Sequence, residues 1–158
     1  MGTGKRKRIK FIKLKKGLDL DYIKDYPWYS FRGSIRFLRF GANVTCIGAW
    51  AFNDCTALSL AEIPEGVTSI GERAFQNCSS LTSITIPESV TSIGERAFSG
   101  CENLKTVYNY SSLDIVKGTD THGQVAYYAD KVLTKGVYLD YKTLYFFDKD
   151  DKYALSVT

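Results

Sequence analysis

The chain has 158 residues, of which 44% are hydrophobic and 14% aromatic, and this composition excludes a mainly disordered chain. No run of about 18 apolar residues occurs, so we expect no membrane-spanning helix. The formal net charge of +4 is unevenly distributed: residues 1–16 hold eight of the 21 basic side chains and no acid, which leaves 13 basic against 17 acidic side chains elsewhere. We therefore interpret residues 1–16 as a basic tail on a mildly acidic body.

The basic tail, "MGTGKRKRIKFIKLKK", lacks the continuous apolar segment and the small-residue cleavage site of a signal peptide, so no signal peptide or anchor is visible in this chain. We interpret it as a solvated or disordered extension, which can include a short strand where Ile9 and Phe11 alternate with Arg8 and Lys10. The charge of residues 5–16 also permits contact with nucleic acid or an anionic membrane, which we keep as an alternative function.

A 23-residue repeat dominates residues 43–110. The phrase "IPEGVTSIGERAF" at 63–75 returns as "IPESVTSIGERAF" at 86–98, with twelve of thirteen residues identical. Seven columns keep the 23-residue step in three copies: Val44, Val67 and Val90; Ile47, Ile70 and Ile93; Gly48, Gly71 and Gly94; Ala51, Ala74 and Ala97; Phe52, Phe75 and Phe98; Cys55, Cys78 and Cys101; Leu58, Leu81 and Leu104. A half-unit precedes them, because Ile35, Leu38 and Phe40 fall 23 residues before Leu58, Ala61 and Ile63. Residues 17–42 are thus predicted to be an N-terminal cap and degenerate repeat.

Each unit contains three predicted segments. "LTSITIP" predicts a strand that ends at Pro87, "VTSIG" a second extended segment, and "ERAFQNC" about one helical turn that directs Phe75 and Cys78 inward. One unit buries too few apolar side chains to offset the ordering of its backbone, so each unit needs an equivalent neighbour. The sequence therefore predicts a repeat solenoid, β-rich with short helical turns.

The pattern "VTSIGxxAFxxCxxL", followed by an apolar residue and "IP", resembles the BspA-like (Treponema pallidum-type) leucine-rich repeat of bacterial cell-surface proteins. "YPWYSFRGSIRFLRF" resembles the segment that leads into such arrays, and "NLKTVYNYSSLDIVKGTDTHGQVAYYADKVL" resembles the segment that follows them, so the match covers about residues 26–133. The resemblance implies a right-handed coil of 23-residue units, a cell-surface or secreted location, and adhesion to a protein, including a host or matrix protein.

Residues 111–158 are predicted to form a C-terminal cap with a β-hairpin. From residue 108 onward the chain holds eight of its eleven tyrosines: Tyr108, Tyr110, Tyr127, Tyr128, Tyr138, Tyr141, Tyr145 and Tyr153. A cap that shields the end of the array accounts for them, and a surface that grips a glycan or protein is the alternative. "VAYYADKVL" predicts a strand or a short helix, and "TLYFF" and "KYALSV" predict a hairpin around a charged turn.

Candidate catalytic and metal-binding residues are few. Cys55, Cys78 and Cys101 point the same way in successive units, so we expect reduced core thiols. His122 is the single histidine, and nothing near it in sequence suggests a nucleophile. The segment "FFDKDDKY", which contains Asp148, Asp150 and Asp151, lacks the glycine and final glutamate of a calcium loop. We therefore predict a protein that is not an enzyme and that needs no metal or cofactor.

Binding is the function class that remains. Strand side chains that do not enter the core form rows across the surface of a solenoid. We predict that the protein-binding face consists of four such rows: Arg36, Phe37 and Arg39; Ser59, Leu60 and Glu62; Thr82, Ser83 and Thr85; Lys105, Thr106 and Tyr108. The alternative is a structural spacer or cap fragment of a longer surface protein.

Overall fold

The structure, a computed structural model, describes residues 26–134 and the backbone of three further strands at residues 136–140, 143–147 and 152–156. The basic tail and the Asp148–Asp151 turn lie outside the described residues.

Short strands account for most of the regular structure. In chain order they are β1 (Phe37–Arg39), β2 (Cys46–Ile47), β3 (Leu60–Glu62), β4 (Ser69–Ile70), β5 (Ser83–Ile86), β6 (Ser92–Ile93), β7 (Thr106–Asn109), β8 (Lys131–Thr134), β9 (Gly136–Asp140), β10 (Thr143–Phe147) and β11 (Lys152–Ser156). A 3-10 helix, Tyr29–Ser34, precedes β1, and a four-residue helical segment, α1 (Thr121–Gln124), precedes β8.

Successive units pair in parallel, in the register that the repeat predicts. Phe37 lies opposite Leu60 in the β1–β3 pair, and Ser83 lies opposite Thr106 in the β5–β7 pair. The short strands β2, β4 and β6 form a second parallel sheet with the same 23-residue step. The chain therefore folds as a solenoid of 23-residue turns, as predicted; we call each turn a rung.

Aromatic rings fill the core as a continuous stack. Phe52, Phe75 and Phe98 are fully buried, with ring centroids 5.4 Å apart for the first pair and 5.2 Å apart for the second. Trp28 continues the stack at the N-terminal end, 5.4 Å from Phe52. Its indole nitrogen donates a hydrogen bond to the Ala51 carbonyl, which anchors the ring over the first full rung.

The segment "ERAFQNC" is a series of turns, unlike the helical turn predicted for it. Arg73 and Asn77 have φ values of 51° and 61°, in the left-handed region that ends a right-handed helix. The backbone N–H groups of residues 73, 75 and 77 donate to carbonyls of the next rung, whereas those of residues 74, 76 and 78 donate three residues back within their own rung. Half of the donors thus serve the neighbouring rung and are unavailable to a helix.

The glycine that recurs at the 23-residue step is in close backbone contact at Gly71 and Gly94. A Cβ at Gly71 would lie 2.5 Å from the Ala49 nitrogen, and one at Gly94 would lie 2.5 Å from the Glu72 nitrogen. No side chain fits there, because the obstructing atoms are backbone atoms of the preceding rung.

The C-terminal side of the array is covered by residues 111–134. The Phe98 N–H donates to the Gly123 carbonyl, and Val125 and Ala126 are buried. Of the segment "VAYYADKVL", residues 131–133 belong to β8, which pairs in parallel with β7. Strands β9, β10 and β11 form a separate antiparallel sheet in which β10 pairs with both neighbours, so the "TLYFF" and "KYALSV" segments are paired strands.

Candidate protein-binding face

The twelve residues predicted for binding lie in rows along the outward side of β1, β3, β5 and β7 and the residues just before them. We call this surface the sheet face. Its exposed members are Arg36, Phe37, Arg39, Ser59, Leu60, Glu62, Thr82 and Lys105, and its half-buried members are Ser83, Thr85, Thr106 and Tyr108. The inward neighbours Leu38, Ala61, Ile84 and Val107 are buried, so the alternation of each strand separates the sheet face from the core.

The N-terminal rows carry an apolar pair. Phe37 is 50% exposed and Leu60 is 41% exposed, and the two residues are direct partners in the parallel register. Large apolar side chains at this exposure are costly to leave in water, and here they lie side by side on a paired backbone. The pair is therefore a fixed apolar feature of the surface.

An ion pair borders the apolar pair. Arg39 Nε donates to Glu62 Oε2 at 2.8 Å, and both side chains are exposed. The hydrogen bond and the negative charge of Glu62 raise the pKa of Arg39. An exposed pair of this kind adds little to stability, but it orients both charged groups next to Leu60.

Small hydroxyl side chains, Tyr108 and one anchored lysine occupy the later rows. Lys105 Nζ donates to the Tyr128 carbonyl at 3.3 Å and lies 6.0 Å from the centroid of the Tyr128 ring. At the other end of the same column, Ser59 Oγ donates to the Arg36 carbonyl at 3.1 Å. These contacts join neighbouring rungs through the side chains at the border of the face.

The backbone ladder under the sheet face has two parts. One sheet pairs β1 with β3, and the other pairs β5, β7 and β8. Strands β3 and β5 still lie in contact, so the rows remain neighbours across the division. The rows of Phe37 and Leu60 belong to the first sheet, and the rows of Thr85 and Tyr108 belong to the second.

The structure adds a fifth row that the sequence analysis did not identify. Lys131 lies opposite Thr106, and Leu133 lies opposite Tyr108. The step here is 25 residues in place of 23, so a search at the fixed repeat length passes over it. The β-branched and apolar run "KVLT" is the signal that could have identified the strand.

The cysteine column lies in the core, as predicted. Cys55, Cys78 and Cys101 are buried free thiols, and the Cys78 and Cys101 thiols donate to the Phe52 and Phe75 carbonyls at 3.3 Å and 3.1 Å. Burial raises the pKa of Cys55 to about 12 and raises that of Cys78 well above its ordinary value. The Cys55 and Cys78 thiols are thus held in the unreactive protonated form.

His122 lies in α1 at a φ of 46°, half-buried, and its carbonyl accepts the Val125 N–H. Among the residues that the structure describes, no three His, Cys, Asp or Glu side chains are grouped as metal ligands would be. Within that same part of the chain, no helix has the length and apolar content needed to span a membrane.

Parallel rungs of 23 residues with an inward leucine, valine and phenylalanine column define a leucine-rich-repeat solenoid, a class of proteins that generally bind other proteins. The model of the BspA type leucine-rich repeat region matches residues 6–119 in six copies. The chain belongs to this family. The match begins well before residue 26, where the resemblance noted from the motifs begins, and it includes most of the basic tail.

Solved bacterial proteins share the fold. A leucine-rich cell surface protein from Faecalibacterium prausnitzii A2-165 is 31% identical with a TM-score of 0.54, and the match covers 65% of this chain and 26% of that protein. A leucine-rich repeat protein from Eubacterium ventriosum is 21% identical with a TM-score of 0.50, over 86% of this chain and 41% of that protein. This chain thus spans between about a quarter and two fifths of their lengths. No curated protein sequence matches it significantly.

Proposed function

We propose that this chain is a non-enzymatic adhesion module of a bacterial cell surface that binds a host or matrix protein through the sheet face. The observation that carries the proposal is the apolar pair of Phe37 and Leu60, which is half-exposed on adjacent paired strands and is bordered by the Arg39–Glu62 ion pair. Aromatic, apolar and arginine side chains grouped in this way are typical of the residues that dominate protein–protein affinity.

The rigidity of the face supports the proposal. The strands under it are tied by backbone bonds from rung to rung, and Arg39 is oriented by Glu62. A partner therefore meets side chains whose backbone is already ordered, and little conformational entropy is lost on binding. The mixture of an apolar centre with a charged border matches the anatomy of a protein interface.

The proposed location is supported by the family and by the Faecalibacterium prausnitzii protein, which is described as a cell surface protein. That protein is about four times as long as its matched part. A whole surface protein of this kind therefore presents more surface to its partner than these rungs alone.

The proposal is tested with the double variant Phe37→Ser/Leu60→Ser and the matched control Val116→Ser, which changes a 47% exposed side chain that does not belong to the sheet face. Binding of each variant to a panel of immobilised extracellular-matrix glycoproteins is measured by biolayer interferometry. We expect the double variant to lose at least about tenfold in affinity, the loss typical of one hot-spot group or more, while the control keeps the affinity of the parent chain. Equal binding by the parent chain and both variants would refute the sheet face as the binding site. No binding by any of the three would favour the alternative of a structural spacer.

A further inference from the structure

A tight turn recurs in four rungs, shortly before the strands β3, β5, β7 and β8. In each copy the N–H of the fourth residue donates to the carbonyl of the first, and the copies are residues 55–58, 78–81, 101–104 and 126–129. The first and fourth residues of every copy are buried, and the two central residues are exposed or half-buried. The turn therefore holds two side chains of each rung outside the core.

The central residues of the first three turns suit the turn and the array. They are Thr56 and Ala57, then Ser79 and Ser80, then Glu102 and Asn103. Serine and asparagine are common in turns because their short polar side chains bond to nearby backbone. Ser80 Oγ donates to the Thr56 carbonyl at 2.6 Å, and Asn103 Nδ2 donates to the Ser79 carbonyl at 2.7 Å, so these residues also join one rung to the next.

The fourth turn carries Tyr127 and Tyr128 at the same two positions, and we call them the tyrosine pair. Tyrosine is not a turn-forming residue type. The core beneath this turn is closed by Val125, Ala126 and Ala129, which are 1%, 1% and 6% exposed. Tyr127 is 46% exposed, and its ring meets the Tyr128 ring at 83° with the centroids 4.9 Å apart. Neither the turn nor the closure of the core therefore accounts for the tyrosine pair.

Backbone contacts on both sides hold the tyrosine pair in place. The Ala126 carbonyl, at the start of the turn, accepts the Gly118 N–H at 2.8 Å. After the turn, the Asp130 N–H donates to the Lys105 carbonyl of the preceding rung at 2.8 Å. The Tyr128 carbonyl accepts a further hydrogen bond from Lys105 Nζ at 3.3 Å. A ligand therefore meets two rings on a backbone that is already ordered, and little conformational entropy is lost on binding.

Two exposed lysines border the tyrosine pair. Lys105 belongs to the preceding rung, and its Nζ lies 6.0 Å from the centroid of the Tyr128 ring. Lys117 precedes α1, and its Nζ donates to the Asp130 carbonyl at 3.3 Å. Each of these backbone carbonyls occupies one of the three hydrogens that an ammonium group carries, so both lysines keep donors for a ligand.

Two carboxylates lie beside the lysines. In the turn of the preceding rung, Glu102 occupies the position that Tyr127 occupies in the fourth turn, and neighbouring rungs lie about 5 Å apart. Asp130 directly follows the fourth turn, and both acidic residues are exposed. The surroundings of the tyrosine pair thus offer charged hydrogen-bond donors and charged acceptors together.

We propose that the tyrosine pair is a binding site for a neutral glycan, in which a hexopyranose ring packs its C–H face against Tyr127. The C–H face of such a sugar is apolar and weakly positive, and the face of an aromatic ring is negative, so the two attract each other. The hydroxyl groups of the sugar both donate and accept hydrogen bonds, so the carboxylates and the ammonium groups are all satisfied by one ligand. This site is distinct from the Phe37–Leu60 pair, and it adds a second class of ligand to the proposed adhesion.

The same side chains disfavour other classes of ligand. A sulfated or carboxylated chain would meet Glu102 and Asp130 as like charges, and an apolar peptide would remove charged groups from water without supplying partners. Sugar hydroxyls replace the water around these groups with equivalent hydrogen bonds. A single sugar on an open surface makes few contacts, so we expect the ligand to be a polysaccharide that presents many copies of the sugar.

The ligand class is tested by biolayer interferometry of the full chain on immobilised mannan, galactan, xylan and dextran, with heparin and polygalacturonate as anionic probes at the same ionic strength. We expect at least one neutral polysaccharide to bind, and to bind more tightly than either anionic probe. No binding to any neutral polysaccharide, or tighter binding of an anionic probe, would overturn the neutral glycan.

The position of the site is tested with variants of one residue and an aromatic control. We expect Tyr127→Ala to weaken binding to the polysaccharide at least about tenfold, and Tyr127→Phe to preserve it, because the ring supplies the contact. Phe31→Ala removes a 47% exposed ring at the N-terminal end of the described array and should bind as the parent chain does. Because Tyr127 is exposed, the melting temperature of Tyr127→Ala should stay within about two degrees of the parent value. Unchanged binding by Tyr127→Ala, or an equal loss in Tyr127→Phe or Phe31→Ala, would overturn the site.

The double variant Phe37→Ser/Leu60→Ser distinguishes this site from the sheet face. We expect it to bind the polysaccharide as the parent chain does, and we expect Tyr127→Ala to bind enzymatically deglycosylated matrix proteins as the parent chain does. Loss of polysaccharide binding by the double variant would place the glycan on the sheet face and overturn the tyrosine pair as its site. Weaker binding of deglycosylated protein by Tyr127→Ala would show a protein site and overturn the glycan. The two proposals therefore fail separately.

Discussion

Substitution of the central ring of the aromatic stack measures how strongly the rungs depend on one another. Phe75 is fully buried between Phe52 and Phe98, with centroid distances of 5.4 Å and 5.2 Å. Phe→Ala substitutions in protein cores cost about 3–5 kcal/mol, and each ring contact contributes about 0.5–1.5 kcal/mol beyond burial. The Phe75 N–H is bonded to the Ala97 carbonyl, so the backbone cannot collapse into the cavity. We therefore expect Phe75→Ala to cost about 4–5 kcal/mol, in the upper part of that range.

The assay for this prediction is equilibrium unfolding in urea, with the slope against denaturant monitored together with the midpoint. The matched control is Thr85→Ala, a half-buried position on the sheet face, which we expect to cost well under 1 kcal/mol. If the midpoints of the two variants agree, the assignment of the phenylalanine column to the core and of the threonine to the surface is refuted. If the slope changes as well, the array unfolds in parts, and the midpoint no longer measures a single free energy.

Three further predictions concern the backbone contact between rungs and the thiols. Gly94→Ala should lower the free energy of unfolding by about 1–3 kcal/mol or more in the same assay, because its Cβ would meet the Glu72 nitrogen. The control Gly33→Ala, whose Cβ would have nothing within 4 Å, should change the free energy of unfolding little. Equal losses for the two variants would contradict the close approach of the rungs at Gly94. With a maleimide reagent under native conditions, the exposed Cys46 should react and Cys55 should react only after unfolding, and peptide mapping of the labelled chain distinguishes them. Burial raises the pKa of Cys55 from 9.0 to about 12, so the thiol loses its proton in the unfolded chain before it does in the folded one as the pH rises above 9. In that range the melting temperature of the parent chain should therefore fall more steeply with pH than that of Cys55→Ala. Equal pH dependence of the two melting temperatures would contradict this linkage.

The core and the strand register could be predicted from the sequence because the same side chains recur at the same step. In a solenoid, side chains that recur at the repeat step lie above one another in the core, and the structure confirms this for Phe52, Phe75 and Phe98. The exposed rows followed from alternation within each strand, which needs only the position of one inward residue.

The turn segment could not be predicted in the same way. "ERAFQNC" contains good helix formers, but helix propensity describes a chain without neighbours. Here the N–H groups of alternate residues donate to the next rung, and Arg73 and Asn77 adopt positive φ values to allow it. Contact between rungs therefore overrides the local preference.

The ends of the array could not be predicted from the repeat either. The stacking of Trp28 on Phe52 and the 25-residue step from β7 to β8 both depart from the repeat length. At the two ends of the part of the array that the structure describes, Trp28, Val125 and Ala126 close the core, and they do not repeat the internal pattern. A fixed-period search is least informative there.

The near-identity of residues 63–75 and 86–98 makes one unit of the array interchangeable with the next. Deletion or duplication of residues 63–85 removes or adds one whole unit of 23 residues. After such a loss Phe52 would stack on Phe98 with the geometry it now has with Phe75, and the glycine, cysteine and valine columns would meet equivalent neighbours. Whole-unit insertion or deletion is therefore the length variation that this architecture tolerates best, and it lengthens or shortens the outer surface without redesign of the interior.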